Sequence, residues 1–93
     1  MTLTALNNVT TSDAYSDANT MQCSGAEKLN ITVANAAIYI QFAPDNRLHS
    51  AIGNWGPEVF MTPRLENKVG KFGAVRVRSA VVGTPAQVTI EAA

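Results

Sequence analysis

Four stretches of this chain alternate apolar and polar residues one for one, and that period of two constrains the fold more than any other feature. In KLNITV, Leu29, Ile31 and Val33 alternate with Lys28, Asn30 and Thr32; in AIYIQF, Ile38, Ile40 and Phe42 alternate with Tyr39 and Gln41. In AVRVRSA, Val75 and Val77 point one way and Arg76 and Arg78 the other, and in AQVTIEA, Val88 and Ile90 alternate with Gln87, Thr89 and Glu91. Such alternation is the signature of strands with one buried face. The first two segments flank ANA, where Asn35 tolerates positive φ, so residues 27–42 read as an antiparallel hairpin. Weaker strand signals lie in TLTALNNV, LHSAIG, EVFM and around Val69 to Phe72. No segment carries a helical stripe. Strands punctuated by Gly, Pro or Asn every 8–12 residues predict an all-β fold: a small jelly-roll-like or Ig-like sandwich of about seven to eight short antiparallel strands.

At 93 residues only one core is available. The organisation expected is an irregular N-terminal arm over 1–26 and a β-sandwich domain over 27–93. The arm is rich in Thr, Asn, Ser and Asp and shows no clear period from Thr10 to Glu27. A long unpatterned segment of this kind is functional or is stabilised by a partner.

Charged residues make up only 15% of the chain, so small polar residues must cover the surface, which suits a protein packed against other proteins and equally suits many extracellular binding modules. Net charge is zero, a poor match to nucleic-acid binding, which needs net positive surface. The charges are segregated: Asp13 and Asp17 stand in a leading segment without basic residues, while Arg64, Lys68, Lys71, Arg76 and Arg78 cluster later with Glu66 alone for company. An acidic arm could meet a basic surface in its own subunit or a neighbour's; the alternative is a set of solvated strand faces. No apolar run reaches membrane-span length, and MTLTALNNVTTSD has neither the basic nor the apolar region of a secretory signal. On that ground the acceptor tripeptides at Asn8 and Asn30 read as accidents of composition.

Catalytic equipment is hard to find. His49 is the one histidine and RLHSA matches no catalytic motif. Glu58 and Glu66 flank one loop region, yet no pattern separates their roles. Cys23 is alone, which excludes an internal disulfide and reads as a small buried hydrophobe. No phosphate loop, nucleophile elbow or metal-ligand spacing occurs, so the expectation is a non-enzyme without cofactor or metal.

The single tryptophan, in GNWGPEVF, is either an anchor pinning a loop to the core, a ligand platform with Tyr39 or Tyr15, or the cap of an inter-subunit contact. Gly53 and Gly56 beside the ring and Pro57 after it favour the anchor. Phe42, Phe60 and Phe72 fall at core positions.

The run NAAIYIQF…WGPEVF…FGAVRVRSAVVGTPAQVTIEA resembles small β proteins encoded among the structural genes of tailed bacteriophages; the likeness covers residues 27–93 and its most distinctive part is the closing AVRVRSAVVGTPAQVTI. It implies a virion component, most readily a capsid decoration (cement) protein. Such proteins are similar in size, are often homotrimers, and clasp neighbouring capsid subunits with extended termini. A head fibre, tail spike or tail adaptor, or a small carbohydrate-binding module, are the alternatives. The implied partners are further copies of the chain and the major capsid protein, and the implied location is the virion. Interface candidates are Asp13, Tyr15 and Asp17 in the arm, Trp55, and the Arg76/Arg78 face.

Overall fold

The structure, a computed structural model, describes residues 4–5, 14–47, 49–81, 83–84 and 86–92. It is all-β. Strands β1 (Thr4–Ala5), β2 (Thr20–Ala34), β3 (Ile38–Ala43), β4 (Val59–Met61), β5 (Arg64–Ser79) and β6 (Gln87–Ala92) form one antiparallel sheet in the order β1-β6-β2-β5-β3-β4. Two 3-10 turns, Asp17–Asn19 and His49–Ala51, are the helical pieces among the described residues.

Against the seven or eight short strands expected, the described residues form six, two of them very long. β2 spans 15 residues and β5 spans 16. Each long strand serves two neighbourhoods. The second half of β2 lies between β6 and the first half of β5, whereas the second half of β5 lies between β3 and the first half of β2. The sheet curls so that Leu29, Ile31, Val88 and Ile90 from one end share a single core with Ile38, Ile40, Val75 and Val77 from the other. All eight are fully buried. The inward set read from the period of two is therefore the core.

Strand pairing departs from the expectation. β2 and β3 do not form a hairpin: β5 lies between them. Asn35 does take positive φ (74°), but the turn carries the chain across the core instead of back along the same edge. Both segments are apolar on one face, and either arrangement buries that face equally well; long-range pairing with β5 decides. Thr20 to Ala26, read as part of the arm, belong to β2, so that strand crosses position 26 continuously. Its polar, aperiodic look comes from an irregularity there. Between Gln22↔Ala74 and Ala26↔Phe72, four steps on β2 match two on β5, and Ser24 and Gly25 take positive φ. Within LHSAIG, His49–Ala51 form a 3-10 turn and Ile52 is buried. Phe60 is 52% exposed and not in the core, while Phe72 is buried there and Phe42 packs against its edge.

Candidate functional site: an arginine–aromatic ladder

The second half of β5 turns Val75 and Val77 into the core, which obliges Arg76 and Arg78 to project from the opposite face. β3 is in the same phase, so Tyr39 and Gln41 project beside them. The register sets Tyr39 opposite Arg78, Gln41 opposite Arg76, and Phe60 of β4 on the other side of Tyr39.

Two further aromatics arrive from outside the sheet. Trp55 sits on the loop before β4 and covers a small apolar patch made by Ala43, Ile52 and Ala74. Ala43 and Ala74 are cross-strand partners, and their small side chains make room for the ring. The loop is tied down where the Gly56 N–H donates to the Phe42 carbonyl (2.8 Å) and the Gly56 carbonyl accepts from Gln41 Nε2 (2.9 Å). A Cβ at Gly56 would stand 3.0 Å from that same carbonyl oxygen, so glycine serves close approach there. Tyr15 precedes the first 3-10 turn, which is closed by Asn19 N–H and Thr20 Oγ1 both donating to the Ser16 carbonyl (3.0 and 2.7 Å).

These groups interleave. The Arg76 guanidinium carbon lies 4.2 Å from the ring centroids of both Tyr15 and Trp55, and that of Arg78 lies 4.3 Å from Tyr39 and 5.6 Å from Tyr15. Tyr39 and Phe60 complete the stack edge to face at 5.5 Å. Each cation–ring contact is worth about 0.5–2 kcal/mol depending on desolvation. Polar bonds fix the register: Arg76 Nε donates to Gln41 Oε1 (2.7 Å), Arg78 Nη2 to Glu58 Oε1 (3.1 Å), and the Tyr15 hydroxyl to Glu58 Oε2 (2.7 Å).

The electrostatics follow from this geometry. Burial, then donation to the Glu58 carboxylate, pushes the Tyr15 phenol well above its ordinary value, so it stays protonated. Bonds from Arg78 and then Tyr15 hold the Glu58 carboxyl below the usual carboxylate range. Donation to Glu58 raises Arg78, whereas desolvation lowers Arg76. The site therefore holds two guanidiniums, a carboxylate kept ionised and a phenol kept neutral.

Of the sequence candidates, Tyr15, Trp55, Arg76 and Arg78 come together here. Asp17 is exposed in the turn after Tyr15, and Asp13 lies outside the described residues. Trp55 is part-buried, with Arg76 on its ring and the apolar patch beneath it, which is the anchor geometry. Its indole Nε1 is buried without an acceptor among the described residues. Glu58 and Glu66, read as a conceivable pair, have separate duties: Glu66 bonds Arg64 and Lys68 instead. Gln41 and Glu58 were missed as members. The alternation of β3 put Gln41 on the outer face, but its opposition to Arg76 is a matter of register, which the sequence does not display.

No family model and no curated protein matches this chain. Among solved structures it is similar to iron(II) HppE in complex with substrate (TM-score 0.60, 14% identity, covering 99% of this chain and 46% of that one). It is likewise similar to hydroxypropylphosphonic acid epoxidase from S. wedmorenis (TM-score 0.58, 12% identity, 99% and 43%). The SPBc2 prophage-derived protein YomS also superposes (TM-score 0.55, 10% identity, 99% and 94%). The chain spans less than half the length of the epoxidase chains and nearly the whole of the prophage protein.

These likenesses overturn the expectation of a non-enzyme: an epoxidase is built on this fold, and chemistry resides in sites grafted on folds, so missing motifs exclude no reaction. The iron of the HppE structure, however, finds no fitting donor set among the described residues. Among the described residues no three of His, Cys, Asp and Glu come together, and the interior between the sheet halves is filled by Ile38, Ile40, Val75, Val77, Val88 and Ile90. Cys23 is buried in that core, where desolvation pushes its thiol up to about 11. No helix among the described residues is long and apolar enough to cross a membrane. What the comparisons establish is the fold, an all-β one that an epoxidase and a prophage-derived protein both share with this chain.

Proposed function

We propose that this chain is a bacteriophage virion structural protein of the capsid-decoration type, and that it docks on the major capsid protein through its arginine–aromatic ladder. The ladder is the observation that carries this reading. Tyr, Trp and Arg dominate the energetics of protein–protein contacts when they are held rigid at the centre of a patch. Here they are stacked before any partner arrives, which lowers the ordering cost of binding. The similarity to a prophage-derived protein of nearly the same length supports a phage setting.

The charge balance of the ladder describes the partner. Arg78 has Glu58 as its counter-ion, whereas Arg76 is held by two rings and Gln41, with no carboxylate in contact among the described residues. An acidic group on the partner would complete it. Once bound, the protein stabilises the shell by linkage, since anything that binds only the assembled form shifts the equilibrium toward it. The carbohydrate reading has less support: a sugar needs a free ring face, and Arg76 and the apolar patch flank Trp55 while Arg78 covers Tyr39.

The test is co-sedimentation with particles of the phage that carries the gene, prepared without this protein. Wild-type chain pellets with the particles, and Arg76→Ala, with its fold checked by an unchanged circular dichroism spectrum, weakens binding about tenfold or more, the loss typical of an interface hot spot. Wild-type chain left in the supernatant, or an R76A variant that pellets as well as wild type, overturns the reading.

A further inference from the structure

The first half of β5 presents a second unusual surface. Among the described residues, β5 pairs with β2 on one side over Arg64 to Val69, while β3 joins its other side only from Ala74 onward. The backbone from Arg64 to Gly70 is thus a free sheet edge, a ready template for another strand. Its side chains are arranged against the usual rule. Leu65 (67% exposed) and Val69 (81%) stand in solvent on the outer face with Asn67 between them. Arg64, Glu66 and Lys68 occupy the other face, joined by ion pairs of 2.7 Å and 3.1 Å to the central Glu66.

We propose that a second copy of this chain pairs antiparallel along this edge, about a twofold axis through Asn67. In that register Leu65 of one copy lies opposite Val69 of the other, and Glu66 lies opposite Lys68, each pair occurring twice by symmetry. Apolar and opposite-charge cross-strand pairs both stabilise antiparallel sheets. The neighbouring registers fail. Centring on Glu66 sets Glu66 against itself and Arg64 against Lys68. Centring on Lys68 sets Lys68 against itself, leaves Glu66 opposite Gly70 and puts Leu65 opposite Lys71. Alternating charges that would repel most strands along an exposed edge are therefore complementary to their own copy in one register, the condition for an isologous contact.

The experiment uses the full chain and engineered cysteines. Paired residues on the axis have Cα atoms about 4.5–5.5 Å apart, within disulfide range, so Asn67→Cys forms a cross-linked dimer under mild oxidation. Leu65→Cys and Val69→Cys serve as controls, since each would lie about 13 Å from its own copy across the axis and stays unlinked; Cys23 is buried and does not interfere. Sedimentation across a dilution series gives the second readout. Glu66→Lys weakens the dimer about tenfold by opposing lysines, and E66K combined with K68E restores it. An unlinked N67C, equal linking of the control cysteines, a double variant no tighter than E66K, or a trimer in solution overturns the proposal.

Discussion

The two halves of β5 use the same alternation with opposite meaning. From Val75 to Ser79 the odd positions are buried and Arg76 and Arg78 face out; from Leu65 to Val69 the odd positions face out and Glu66 and Lys68 lie on the inner side. The cause is one residue. Between Lys28↔Val69 and Ala26↔Phe72, two steps on β2 match three on β5. That extra residue reverses the face that every later side chain occupies. On β2 the irregularity inserts two residues and leaves its phase unchanged, so Met21 and Cys23 face the core as Leu29 and Ile31 do. A strand can thus serve as core wall at one end and as a presented edge at the other without any change in its pattern.

The sharpest way to break this comparison is at the junction. A Cβ at Gly73 would collide with the backbone of Pro44, whereas one at Gly70 meets only the movable Phe72 ring at 3.3 Å. Gly73→Ala is expected to cost about 3 kcal/mol in urea unfolding and Gly70→Ala under about 1 kcal/mol, because backbone cannot yield as a side chain can. Equal costs would mean that the core half and the edge half are not distinct.

A smaller effect separates two valines of the same strand. Val77→Ala removes two buried methyl groups and leaves a cavity, an expected loss of about 2 kcal/mol. Val69→Ala changes monomer stability by no more than about 0.5 kcal/mol. If Val69 costs as much as Val77 in dilute solution, the outer face of the first half is covered within the monomer.

The smallest effect concerns the ladder. The carboxyl of Glu58 sits below its ordinary range because Arg78 and Tyr15 bond its charged form. A depressed folded value means stabilisation present above the unfolded pKa of about 4.3 and lost as pH falls through the lower folded value. Glu58→Gln is expected to shallow the acid limb of a stability–pH profile below about pH 4 while leaving midpoints at pH 7 slightly lowered. An unchanged limb would show that Arg78 and Tyr15 do not favour the charged carboxylate.

Much of this was legible beforehand, for identifiable reasons. Leu29, Ile31, Val33, Ile38, Ile40, Val75, Val77, Val88 and Ile90 were recognisable as inward because the strand period is a local property. Arg76 and Arg78 followed as outward for the same reason, and Gly53, Trp55, Gly56 and Pro57 signalled an anchored loop. Tyr15 stood out as the aromatic of the arm, but nothing local showed that it would stack on Arg76, about sixty positions further along the chain. The 27–42 hairpin was misread because adjacency in sequence with a turn between is only a tendency. Phe60 was misread as core because a three-residue strand offers too few positions to set its phase.

The amino-acid sequence by itself determined that the chain is all-β and which residues of its four alternating stretches face the core, and it favoured an anchoring role for Trp55, since each of these rests on side-chain alternation and turn chemistry within a few residues. Only the tertiary structure decided that β5 lies between β2 and β3, that one extra residue turns Leu65 and Val69 outward, and that Tyr15, Trp55, Arg76 and Arg78 converge into one ladder. Those outcomes depend on pairing register between distant segments, where several arrangements bury the same apolar faces and the choice among them is made by the packing of the whole sheet.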